Sequence, residues 1–133
     1  MRIGIDYTAA VRQQAGIGRY TRGLISALAA LDHETAYVLL SAGRDLSGHR
    51  WPANFRQCAL PLNDRHLAIL WQRLRLPLPV EVFTGRLNLF HSPDFVLPPV
   101  AQARTVLTVH DLSFLRYPEC SSKSLLEYLL RSV

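Results

Sequence analysis

Lysine, cysteine and long apolar runs are the scarce features of this 133-residue chain, and each shortage excludes a class of protein. The two cysteines, Cys58 and Cys120, are isolated, with no Cys-x-x-Cys and no metal-ligand spacing. Neither a disulfide scaffold nor a zinc site is indicated, and a reducing cytoplasm fits. Residues 1–6 pass from Met1 into a short apolar segment broken at once by Asp6, unlike a secretory leader. No later run reaches the length needed to cross a bilayer as a helix. Asp-x-Asp is absent, as is any histidine pair at i, i+4, so no divalent metal held by this chain is expected. A Walker lysine and a Gly-x-Ser-x-Gly elbow are also missing, which excludes the P-loop and α/β-hydrolase patterns.

The composition that remains, 49% hydrophobic and 19% charged, is that of a globular chain, and disorder or collagen-like repetition is excluded. Its size suits one core and leaves no room for a second domain of ordinary size. The net charge is +5, and of the basic residues only Lys123 is a lysine. Arginine presents a planar fork matched to phosphate and carboxylate, so an anionic partner is one implication; a solvated basic surface is the other. No nucleic-acid recognition motif or basic-aromatic repeat accompanies the charge, and nucleic acid is not an expected partner.

Apolar runs alternate with helical patterns, the signature of an open parallel α/β sheet flanked by helices. Strands are expected at residues 2–6, 36–41, 55–60, 87–91 and 104–110, the last β-branched and apolar nearly throughout. Between the first two, Ile17, Tyr20, Leu24, Ile25, Leu28 and Leu31 recur at helical spacing, which predicts a helix packing Leu24, Ile25 and Leu28 on the sheet. Asp64 is placed to cap a second helix ending before Pro77, and a third is expected over residues 125–131.

Three segments carry chemistry. Gly16-Ile17-Gly18-Arg19-Tyr20-Thr21 opens the first helix, where free N–H groups and the positive end of the helix suit a phosphate. Thr21 stands where the dinucleotide fingerprint needs its third glycine, so these glycines are either a phosphate-facing loop or simply a flexible helix start. His91-Ser92-Pro93-Asp94-Phe95 and His110-Asp111-Leu112-Ser113 each follow a strand. Carboxyl ends of parallel strands line the ligand crevice, where a histidine can orient a hydroxyl, hold a phosphate oxygen or move a proton. Each histidine has the alternative of a buried side chain bonded to backbone, and Asp111 that of capping a turn. Residues 66–79 mix Trp71 with leucines and arginines, as an interfacial amphipathic segment does and as a core helix with snorkelling arginines also does.

Taken in order along the chain, Gly16-Ile17-Gly18-Arg19-Tyr20-Thr21 with Leu24 and Leu28, Leu70-Trp71 through Leu76-Pro77, Phe90-His91-Ser92-Pro93 with Leu97-Pro98, and Val106 to Phe114 with Tyr117-Pro118-Glu119 resemble the N-terminal domain of family-4 glycosyltransferases. The similarity is to their mannosyltransferase-like branch. These are retaining, nucleotide-sugar-dependent enzymes of the two-domain GT-B fold. The resemblance implies a Rossmann-like, acceptor-side domain over residues 1–133, cut short of the family's full N-terminal domain, with the donor-binding C-terminal domain absent. It implies transfer of a sugar, of hexosyl or mannosyl type, from a nucleoside diphosphate to the hydroxyl of a carbohydrate or lipid-linked acceptor.

On that resemblance Gly16, Ile17, Gly18, Tyr20 and His91 face the donor diphosphate or substrate, and His110 with Asp111 stands at the transferred sugar. Backbone N–H groups and cationic side chains, rather than a cofactor or metal, stabilise the developing diphosphate charge. The family's cationic pair and spaced glutamates lie in its C-terminal domain, so this chain alone is expected to be inactive as a transferase. A cytoplasmic location is expected, with peripheral contact at the inner face of the membrane around Trp71 as a further implication. A non-catalytic α/β module binding an anion or a partner is the alternative from another class.

Overall fold

The computed structural model describes residues 1–14, 16–43, 48–62, 71, 78–95 and 97–117. Five strands form one sheet: β1 (Arg2–Asp6), β2 (Ala36–Ala42), β3 (Phe55–Leu60), β4 (Leu89–Ser92) and β5 (Arg104–Leu107). Every pairing is parallel, and the order is β3-β2-β1-β4-β5. This is an α/β, Rossmann-like arrangement whose direction of winding reverses between β1 and β4.

Alternation along the strands separates two cores. One face buries Val38, Leu40, Ala42, Leu60 and Phe90 against Val80 and Leu87, with the short helix α3 (Glu81–Thr84) on that side. Trp71 packs against this core, and its indole N–H donates to Leu78 O at 3.0 Å. The other face buries Ile5, Tyr37, Leu39 and Phe55 against Tyr7, Ala10 and Ile25, the last two from the helices α1 (Thr8–Arg12) and α2 (Ile17–Leu31). Tyr37 and Phe55 stack here at 4.4 Å between centroids, and Trp51 lies across Tyr7 and Phe55.

A short helix that the sequence pattern does not show, α1, follows β1, because Asp6 Oδ1 accepts the Thr8 N–H at 2.8 Å and starts the turn. Two expectations are corrected. α2 buries Ile25 and sets Leu28 against the same core, as the spacing predicts, but Gly18 and Thr21 are buried with them while Leu24 is only half-buried; Tyr20 is 43% and Leu31 82% exposed. β5 ends at Leu107, three residues early: Thr108 still donates its N–H to Ser92 O at 2.9 Å, and beyond it the chain leaves the sheet. Among the described strands β5 stands at the edge of the sheet, with Arg104, Thr105 and Val106 exposed.

Except for Trp71, the helix expected over residues 64–76 lies outside the described residues, as does that over residues 125–131 and Cys120. Among the described residues no helix is long and apolar enough to cross a membrane. The described part of the segment around Trp71 is turned inward, so its packing is that of a core residue.

Candidate functional site

The carboxyl ends of β1, β4 and β5 meet where the winding reverses. β1 delivers Asp6, β4 delivers His91 and Ser92 with Pro93, Asp94 and Phe95 following, and the chain beyond β5 delivers Thr108 and His110. α2 begins on the same side. Gly16, just ahead of it, and Arg19, Tyr20, Gly23 and Leu24 of its first turns form one stripe that lines an open groove of about 640 Å³.

Tyr20 joins this groove to the strand ends. Its ring meets the His110 imidazole edge to face, with centroids 5.0 Å apart at 86°, and Phe95 approaches the same imidazole at 5.9 Å. His110 Nε2 lies 2.8 Å from Pro93 O. A carbonyl oxygen only accepts, so Nε2 carries hydrogen and, when the ring holds a single proton, Nδ1 is left as an acceptor. The side chain is therefore fixed in tautomer and orientation while remaining exposed. Asp111, next in the chain, is exposed as well.

His91 is placed differently. It sits inside β4, opposite Ile5 and Val106, half-buried, with Nε2 2.8 Å from Thr108 Oγ1. Desolvation holds its pKa below the usual histidine value. From the carboxyl end of β4 it ties that strand to the segment carrying His110.

The glycines also divide. Gly16 has φ +56°, the left-handed region that favours glycine, and open space where a side chain would be as the chain turns into α2. Gly18 is buried, and a Cβ there would stand 2.2 Å from Gln13 O and 2.6 Å from Ala9 O. Its small size lets α2 cross the end of α1, so packing alone demands glycine at this position. Ile17, half-buried, begins the helix whose first N–H groups lack intrahelical acceptors.

Two residues with no assigned role organise the site. Arg22 fastens the turn ahead of α2, donating from Nη1 to Ala10 O (2.6 Å) and Gln13 O (2.7 Å) and from Nη2 to Gln14 O (3.0 Å). Asp6 closes β1: burial pushes its carboxyl pKa up, opposed by the Thr8 hydrogen bonds and reinforced by the nearby charge of Asp94. A carboxylate ending an apolar strand at the rim of a parallel sheet was the sequence signal for Asp6; for Arg22 there was none.

Among the described residues, no three His, Cys, Asp or Glu side chains gather as metal ligands. Comparison with protein-family models, curated proteins and solved structures finds no match to this chain.

Proposed function

We propose that this chain is the acceptor-side, Rossmann-like part of a GT-B glycosyltransferase that moves a sugar from a nucleoside diphosphate to an acceptor hydroxyl with retention. The observation that carries the proposal is the contact of Tyr20 with His110, which brings the glycine-rich helix start and the post-strand histidine to one rim. Both segments belong to the stretches that resemble family-4 glycosyltransferases. On this reading the diphosphate lies at the first turn of α2, against the N–H groups following Gly16 and beside Arg19. His110, locked by Pro93 O, offers Nδ1 to a hydroxyl of the sugar or acceptor, and Asp111 stands next to it. His91 keeps the His110 segment in place through Thr108. The donor-gripping cationic and acidic groups belong to a second domain, so the chain alone binds donor without turning it over.

Titration of the 133-residue chain with UDP-glucose and GDP-mannose, read by amide and histidine-ring NMR, tests this. Saturable shifts at Ile17, Arg19 and His110, competed by the free nucleoside diphosphate and unaccompanied by sugar release, are expected. Absence of shifts at millimolar donor overturns the proposal in favour of a non-catalytic module. Sugar turnover by the chain alone overturns the assignment of the missing groups to a second domain.

A further inference from the structure

At the opposite end of the strands from the groove, two arginines converge on one acceptor. Arg2 opens β1 and Arg56 is the second residue of β3; they pair with Ala36 and Val38 of the intervening β2, two positions apart and therefore on the same face. Arg2 Nη2 and Arg56 Nη2 each donate to Thr84 O at 2.7 Å, so the guanidiniums lie within two hydrogen-bond lengths of each other. Thr84 ends α3, and the Arg2 guanidinium lies beside Gly85, 3.6 Å from where that residue would carry a Cβ.

Charge at this spot is unbalanced. Neither guanidinium meets a carboxylate among the described residues. Glu81, the acid of α3, is committed elsewhere: its carboxylate accepts N–H groups of Ala101, Gln102 and Ala103 at 3.0–3.2 Å. Arg86, exposed and directly after Gly85, adds a third cation to the same edge. A guanidinium has five N–H donors, and the shared carbonyl takes one from each side chain. Two adjacent planar forks with donors to spare match a tetrahedral dianion, which neutralises both and spans them.

We infer that Arg2 and Arg56 form a phosphate-binding site at the amino-terminal edge of the sheet, separate from the groove and independent of the transferase reading. Its ligand is a phosphate group, supplied by a soluble phosphate ester or by a lipid headgroup.

The test follows arginine Nε–H resonances of the full chain at fixed ionic strength while inorganic phosphate replaces chloride. Saturable shifts of Arg2 and Arg56, following one binding curve, are expected at millimolar phosphate. Arg56 is exposed, so Arg56→Gln keeps the fold and weakens phosphate binding at Arg2 by tenfold or more. Arg56→Lys, which keeps the charge without the fork, weakens it several-fold. Co-sedimentation with phosphatidic acid vesicles but not phosphatidylcholine vesicles, lost in Arg56→Gln, assigns the phosphate to a headgroup; phosphate binding without vesicle binding assigns it to a soluble ester. Resonances of Arg2 and Arg56 that do not move, or that move equally with acetate, overturn the site.

Discussion

Tyr20 and His110 touch edge to face across the carboxyl end of the sheet, 5.0 Å between centroids, although they belong to segments far apart in the chain. Because His110 Nε2 is already committed to Pro93 O, the ring contact leaves the imidazole little freedom to turn. Edge-to-face pairs contribute about 0.5–1.5 kcal/mol beyond area burial. Urea unfolding of Tyr20→Ala, His110→Ala and the double variant should yield a coupling energy in that range. Additivity of the two substitutions would show that the contact holds nothing in place.

Gly16 and Gly18 at the helix start and Gly23 in the middle of α2 should separate by substitution. Gly18→Ala forces a Cβ onto two backbone oxygens, so α1 and α2 must part; a loss of about 2–4 kcal/mol is expected, in the range of overpacked or rearranged cores. Gly16→Ala meets no atom but must hold φ +56°, costing roughly 1–2 kcal/mol. Gly23→Ala, mid-helix with open space around it, should stabilise by about 0.5–1 kcal/mol while narrowing the groove. Thermal or urea midpoints of the three variants check the order, and a mild Gly18→Ala would mean the helices do not cross this closely.

Arg22 fastens three carbonyls with one fork, and a lysine cannot reproduce that geometry. Arg22→Lys and Arg22→Ala should therefore cost similar stability, on the order of 1–3 kcal/mol. Amide exchange should accelerate at Gln13, Gln14 and Gly16 in both variants, with the strands unaffected. Full rescue by lysine would reduce Arg22 to a general positive charge.

β1, β2 and β3 were legible because each is a short apolar or alternating segment bounded by turn residues, and local pattern decides such strands. α1 was not, since its five residues show no apolar period and its start depends on the Asp6 side chain, a contact of the folded chain. The inward side of α2 was legible at Ile25 and Leu28 but not at Gly18 and Thr21. Large apolar residues define the side with the greater hydrophobic pull, yet Gly18 faces inward because α1 approaches too closely for a side chain there, and Thr21 is buried with its hydroxyl donating to Ile17 O. β5 reads as a buried strand by composition but stands at the edge among the described strands, where its last apolar residues turn aside with His110. His110 and Gly16 could be placed at the rim from their positions after strands; Asp6 and Arg22 act through partners that only the fold supplies.

Asp6 and His91 should give the stability curve opposite slopes at different pH. Burial raises the Asp6 pKa, so the fold favours its protonated form: that contribution is full below the unfolded value near 3.8 and is lost as pH rises through the folded pKa. Asp6→Asn keeps an acceptor for the Thr8 N–H and removes the charge, so it should be more stable than the parent at pH 7, with the advantage vanishing near pH 3. Desolvation lowers the His91 pKa, so its contribution is present above 6.5 and lost as pH falls toward and below the folded value. His91→Gln, which can still bond Thr108, should flatten the decline between about pH 7 and pH 5. Asp32 behaves as a reference group: the Thr35 N–H, joined by Glu34 N–H and the Tyr37 hydroxyl, holds its carboxyl well below the usual range, so its stabilisation persists to low pH. Urea midpoints of the three proteins from pH 3 to pH 8 decide the matter. An Asp6→Asn variant that is less stable at pH 7, or a His91→Gln variant with an unchanged acid limb, would remove the burial argument for that residue.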